Sequence, residues 1–71
     1  MTTGEMAAWT QRLESILAGP EDTRDERLAA MMSDLEAAYG IPLLPGKQLE
    51  RFEKENPFVM RLYRTVSGWR G

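Results

Sequence analysis

Three breaks in the chain constrain its fold more than any other feature: Gly19-Pro20, the run Gly40-Ile41-Pro42-Leu43-Leu44-Pro45-Gly46, and Asn56-Pro57. Proline cannot donate to a helical ladder and its ring crowds the preceding turn, so regular helix does not pass through these points. The stretches between them carry apolar residues at intervals of three and four, the spacing of one helix face. An all-α fold follows: a compact bundle of three longer helices and one short helix, within a single domain, 1–71.

The first stretch opens with Thr2-Thr3-Gly4-Glu5, the Thr-x-x-Glu pattern of a capping box. Met6, Trp9, Leu13, Ile16 and Leu17 then share one face, and Gly19, taken as a left-handed stop, ends the helix with Pro20. This predicts a helix over about 3–18. Thr23-Arg24-Asp25-Glu26 repeats the capping pattern and puts acids where the helix dipole favours them. Leu28, Met31, Met32, Leu35, Ala38 and Tyr39 form the next stripe, and Gly40 closes a helix over about 24–39. Ile41 occupies the position whose side chain folds back on the finished helix.

In the run 40–46 two prolines and two glycines forbid regular structure, yet Ile41, Leu43 and Leu44 are strongly apolar. Water is a poor neighbour for such residues, so the loop is expected to be pinned across the core, the alternative being an exposed docking strip. A short helix over about 47–55 follows, with Leu49 and Phe52 inward and Lys47/Arg51 and Glu50/Lys54 as surface neighbours. Asn56 as cap and Pro57 as first residue start the last helix, over about 57–68, with Gly68 as its stop. Its apolar set, Phe58, Val59, Leu62, Tyr63, Val66 and Trp69, spans a wide arc, as a helix touching two neighbours needs. A helix 1 exchanged with a second copy, or a hairpin extending from a helical base, would also satisfy these patterns.

Composition removes most chemistry. The chain has neither cysteine nor histidine, which excludes disulfides, thiolate metal sites and the commonest general base. Catalysis would then need paired carboxylates, a lysine or a serine-lysine arrangement. The one dense acidic group, Glu21-Asp22-x-x-Asp25-Glu26, is accounted for by the start of the second helix and lacks the ligand spacing of a calcium loop. The glycines each read as a turn, a stop or, at Gly71, a frayed end, so no phosphate-binding loop is present. Asn56-Pro57-Phe58 matches a peptide motif read by certain adaptor domains, but a cap followed by a core Phe explains all three residues. The expectation is a chain with no enzyme activity, no metal and no cofactor.

A domain this small buries only about 60% of its unfolded surface, so association with another subunit is a common source of added stability. No apolar run reaches the roughly 18 residues of a membrane-spanning helix, and no secretory leader is visible, which predicts a cytoplasmic protein without a membrane partner. Residues 1–36 hold eight acids and three bases, a net of −5, whereas 37–71 hold six bases and three acids, a net of +3. Packed helices could neutralise each other, or one face could await a charged partner.

The expected function is therefore a protein–protein interaction module, binding another protein or itself as a homodimer, for example as a regulator or inhibitor docked on a larger protein. The candidate contacts are Met60, Arg61, Arg64 and Trp69 on the last helix, with Trp9 on the first. Met60 is expected to be exposed beside Arg64, because helical geometry turns it away from the Leu62–Val66 stripe; Met31 and Met32 are expected in the core. Trp9 and Trp69 are candidates because aromatics with arginine mark interface centres, and so small a chain cannot fully bury all six aromatics. The competing class is a nucleic-acid binder presenting the 47–68 segment as a helix-turn-helix with Arg61 and Arg64 outward. The overall acidity, with an isoelectric point near 5.0, speaks against it.

Overall fold

A computed structural model describes residues 1–70; the frayed end expected at Gly71 lies outside them. Helix α1 spans Thr3–Ala18, α2 Arg24–Tyr39, α3 Lys47–Glu55 and α4 Pro57–Trp69, with a single 3₁₀ turn at Glu21–Thr23. No strand occurs among the described residues. The all-α bundle read from the sequence is the observed fold.

Helix α1 starts as its sequence dictates. The Glu5 N–H donates to Thr2 Oγ1 at 3.1 Å, and the Thr2 N–H donates to Glu5 Oε1 at 3.2 Å. A cap of this kind stabilises a helix by about 1 kcal/mol. Its C-terminal end differs from the expectation: Gly19 is extended (φ −87°, ψ −168°), not left-handed. The stop belongs to Pro20, whose ring drives the residue before it out of the helical region. Arg24 Nη2 then reaches back to the Leu17 carbonyl at 3.0 Å, satisfying one orphan acceptor of the last turn. At the end of α2, Gly40 does adopt the left-handed conformation (φ 66°), and its N–H donates to the Glu36 carbonyl at 2.9 Å.

Helix α2 is central. Along one flank Tyr39, Asp34 and Arg24 meet Trp9, Arg12 and Leu17 in turn, so α1 runs antiparallel to it. Along the other, Glu36 meets Tyr63 and Met32 meets Arg70, so α4 is antiparallel as well. Helix α3 packs against α4, joined to α2 through 40–46 and to α4 through Asn56. The Cα envelope measures 37 × 26 × 17 Å. The buried core comprises Leu13 and Ile16 of α1, Leu28, Met31 and Leu35 of α2, Ile41, and Val59, Met60, Leu62 and Val66 of α4. Each leucine-sized side chain buried there contributes about 1.5–3 kcal/mol. Helix α3 gives no fully buried residue; Leu49 and Phe52 lean on the cluster half-buried.

Several expectations are corrected. The capping box at Thr23 does not form: the preceding 3₁₀ turn leaves Thr23 at ψ 2°, and its hydroxyl has no hydrogen-bond partner among the described residues. Asn56 does not cap α4 with its side chain. Its Nδ2 donates back to the Phe52 carbonyl at 3.2 Å, closing α3, while Pro57 stands first in α4. Gly68 does not stop α4, which continues through Trp69. Glu50 and Lys54 form no ion pair among the described residues; Glu53 pairs with Arg64 instead. Ala38 is exposed despite its place on the inward arc, and Trp69, on the apolar arc of α4, is exposed as an outside contact requires. Leu43 and Leu44 are not pinned across the core, where only Ile41 of that run is buried.

Candidate interaction surface

Trp9 is committed to its own fold. Its Nε1–H donates to Tyr39 Oη at 2.9 Å, and the Tyr39 hydroxyl donates to Glu5 Oε2 at 2.6 Å. The two rings lie 6.2 Å apart at 59°, the tilted arrangement aromatic pairs favour. Arg12 stands 5.6 Å over the Trp9 ring and pairs with Asp34 at 2.8 Å. The Tyr39 hydrogen bond, helped by the Thr2 backbone and side chain, holds the Glu5 carboxyl below its ordinary value. Desolvation and the Glu5 carboxylate push the Tyr39 phenol up. Half-buried Trp9 thus stitches α1 to α2, with its polar edge and one ring face already occupied.

Of the four candidates on α4, three line one place. Met60, Arg61 and Arg64, with Glu53, Pro57 and Thr65, surround a shallow groove of about 480 Å³ between α3 and α4. Met60 is not the exposed residue the sequence suggested: only 3% of it is accessible. A second neighbour, α3, packs against α4 and widens the covered arc beyond the stripe facing α2. The Arg64 guanidinium makes a two-pronged contact with Glu53, with Nη1 on Oε1 and Nη2 on Oε2, the latter at 3.0 Å. That contact lowers the Glu53 carboxyl and raises the Arg64 guanidinium. Arg61 is exposed, and its carbonyl accepts the Thr65 hydroxyl at 2.8 Å.

The largest uncovered apolar side chains lie elsewhere. Leu43 is 72% exposed, Leu44 79% and Trp69 51%. Trp69 belongs to the end of α4 whose neighbour Arg70 contacts Met32 Sδ at 3.6 Å, midway along α2. Leu43 and Leu44 stand beyond the end of α2. The five candidates therefore do not converge: Trp9 lies on the α1 flank, Met60, Arg61 and Arg64 border the groove, and Trp69 stands apart. The exposure of Leu43 and Leu44 matches the alternative of an exposed strip, while Ile41 matches the core reading. The signal that separates them is Pro42: Ile41 follows the helix cap directly and folds back, after which the fixed φ of Pro42 carries the chain away.

Charges of both signs are mixed on the exposed faces of α2 and α3. Around the start of α2 Glu21, Asp22 and Glu26 are exposed together with Arg27; along α3 Lys47, Arg51 and Lys54 are exposed together with Glu50 and Glu55. The ion pairs Arg12–Asp34 and Arg64–Glu53 each join groups of the same half, so they leave the −5 and +3 imbalance in place. Among the described residues no three carboxylates converge as metal ligands, and no helix is long and apolar enough to cross a membrane. No protein-family profile, curated protein sequence or solved structure matches this chain.

Proposed function

We propose that the chain is a non-catalytic, cytoplasmic helical module that binds a protein, either another chain or a second copy of itself, through a surface centred on Leu43 and Leu44. The observation that carries this reading is the pair's exposure, 72% and 79%, in a domain that buries its other leucines wholly or in part. Hydration of two adjacent leucines is unfavourable, and prolines on both sides limit the entropy lost when they are covered. Lys47, Arg51 and Lys54 supply a charged rim on the following helix, the anatomy of a protein interface. A regulator docked on a larger protein would use the same surface. Helix-turn-helix binding to nucleic acid draws no support here, since Glu53 already occupies Arg64 and Glu50 and Glu55 interrupt the bases of α3.

The test is capture of partners from a lysate of the source cell by tagged wild-type chain and by the Leu43→Ser/Leu44→Ser variant, with and without nuclease. The proposal expects a protein that survives nuclease and is lost with the double variant while helical circular dichroism is unchanged. Capture that disappears with nuclease, or that ignores the two leucines, contradicts it.

A further inference from the structure

We infer that α1 is a movable strap, which swings off α2 as a unit about the segment 19–23 while α2, α3 and α4 stay assembled. Opening uncovers the apolar flank of α2 and the stripe of α1 itself, and does not depend on the reading of Leu43 and Leu44. The core is shared unevenly. Of the ten buried hydrophobic residues α1 supplies two, Leu13 and Ile16, with Trp9 and Leu17 half-buried beside them. Both keep a trace of exposure, 8% and 6%, where Leu28, Met31, Leu35 and Val66 have none. The other eight lie on α2, at Ile41 and on α4, so a continuous packed seam outlives the departure of α1. The remaining ties of α1 to α2 are polar and lie toward the solvent edge: Trp9 and Glu5 on Tyr39, and Arg12 on Asp34. Water competes with contacts of that kind, and elements held by them open first.

The turn supplies the hinge. Gly19 and Pro20 are extended between the end of α1 and the 3₁₀ turn Glu21–Thr23, so rotation about a few backbone dihedrals there redirects the whole helix. The closed turn also buries two polar atoms, Thr23 Oγ1 and Arg24 Nε, that have no hydrogen-bond partner among the described residues. A buried polar atom without a partner opposes the state that buries it, and opening gives both atoms to water. Against this stands the bond from Arg24 Nη2 to the Leu17 carbonyl, which opening breaks. One guanidinium thus carries a contact that closes the strap and an unpartnered atom that favours its release.

Native-state hydrogen exchange of the full chain, followed residue by residue in urea below the unfolding transition, tests this. The mid-helix amides of Leu13 and Ile16 are expected to exchange together, about tenfold or more faster than those of Leu35 and Leu62. Their rates are expected to depend less on urea, because opening α1 exposes less surface than unfolding the chain. Two variants, each checked for helicity, probe the seam and the turn. Tyr39→Phe releases both Trp9 and Glu5 and is expected to speed exchange at Leu13 and Ile16 by about threefold or more. Thr23→Val removes the unpartnered hydroxyl at nearly constant shape and is expected to slow it by about the same factor. If Leu13 and Ile16 share both the rate and the urea dependence of Leu35 and Leu62, the chain opens as one unit and the inference is overturned. Exchange graded inward from Thr3, with Leu13 and Ile16 as slow as Leu35, is fraying of a helix end and overturns it too. Exchange that is not slowed in Thr23→Val contradicts the hinge at 19–23.

Discussion

Leu35 and Leu44 are the same residue in opposite circumstances. Leu35 lies in α2, between α1 and α4, with none of its surface accessible, while Leu44 in the 40–46 run is almost wholly in water. Along α2 and α4 every large aliphatic residue lies within or against one cluster. Between Gly40 and Glu55 only Ile41 is fully covered, and α3 rests on α4 through half-buried Leu49 and Phe52. The difference teaches that this chain spends its strongest packing on α2 and α4 and leaves an apolar remainder in the 40–46 run.

The largest expected effect lies inside the seam. Leu35→Ala should lower unfolding free energy by about 2–5 kcal/mol, through lost burial and the cavity left behind, as read by urea denaturation. A value below about 1 kcal/mol would mean that α2 is not the centre of the core. Next comes the polar edge of the same seam. Burial, with the hydrogen bond to the Glu36 carboxylate, pushes the Tyr63 phenol from its ordinary 10.0 to about 12. Its folded-state value is the higher one, so its contribution is complete below pH 10.0 and lost as pH rises toward about 12. Tyr63→Phe should cost about 1 kcal/mol near neutrality and flatten the alkaline decline in melting temperature. An undiminished decline would assign alkaline unfolding to other groups.

The α1 flank should respond more weakly, because its polar contacts lie at the solvent edge. Tyr39→Phe should cost about 0.5–1 kcal/mol and loosen α1 first, seen as faster hydrogen exchange there than in α4. Glu5, held below its ordinary 4.5, adds stability above that pH and loses it as pH falls through the lower folded value. Glu5→Gln should therefore blunt the acid-side decline, and equal decline in both proteins would remove Glu5 from the account.

Helix boundaries were legible because they depend on local chemistry: Thr2 and Glu5 make their own cap, and Gly40 and the prolines act on adjacent residues. Face assignments held in the middle of the apolar stripes, which face the core directly, as for Leu13, Ile16, Leu28 and Leu35. They failed at the edges and ends of the stripes. Met60 looked outward on one face and is buried once α3 packs beside α4, and Trp69 lies on the apolar arc yet outside the core. Leu43 and Leu44 needed the path of the chain after Pro42, which hydrophobicity does not encode. Of the surface, the charge asymmetry and the exposure of Arg61 were legible in the sequence, whereas the burial of Met60 and the exposure of Leu43 and Leu44 were not.

The smallest predicted effect is the most decisive. The account holds that Leu43 and Leu44 serve contact and not the fold, so their loss should leave the isolated chain unchanged. The measurement is urea denaturation of Leu43→Ser/Leu44→Ser against wild type, in dilute solution and high salt where the chain is alone. A midpoint shift worth less than about 0.5 kcal/mol is predicted. A loss comparable to that of Leu35→Ala would contradict it, and would return the 40–46 run to the core.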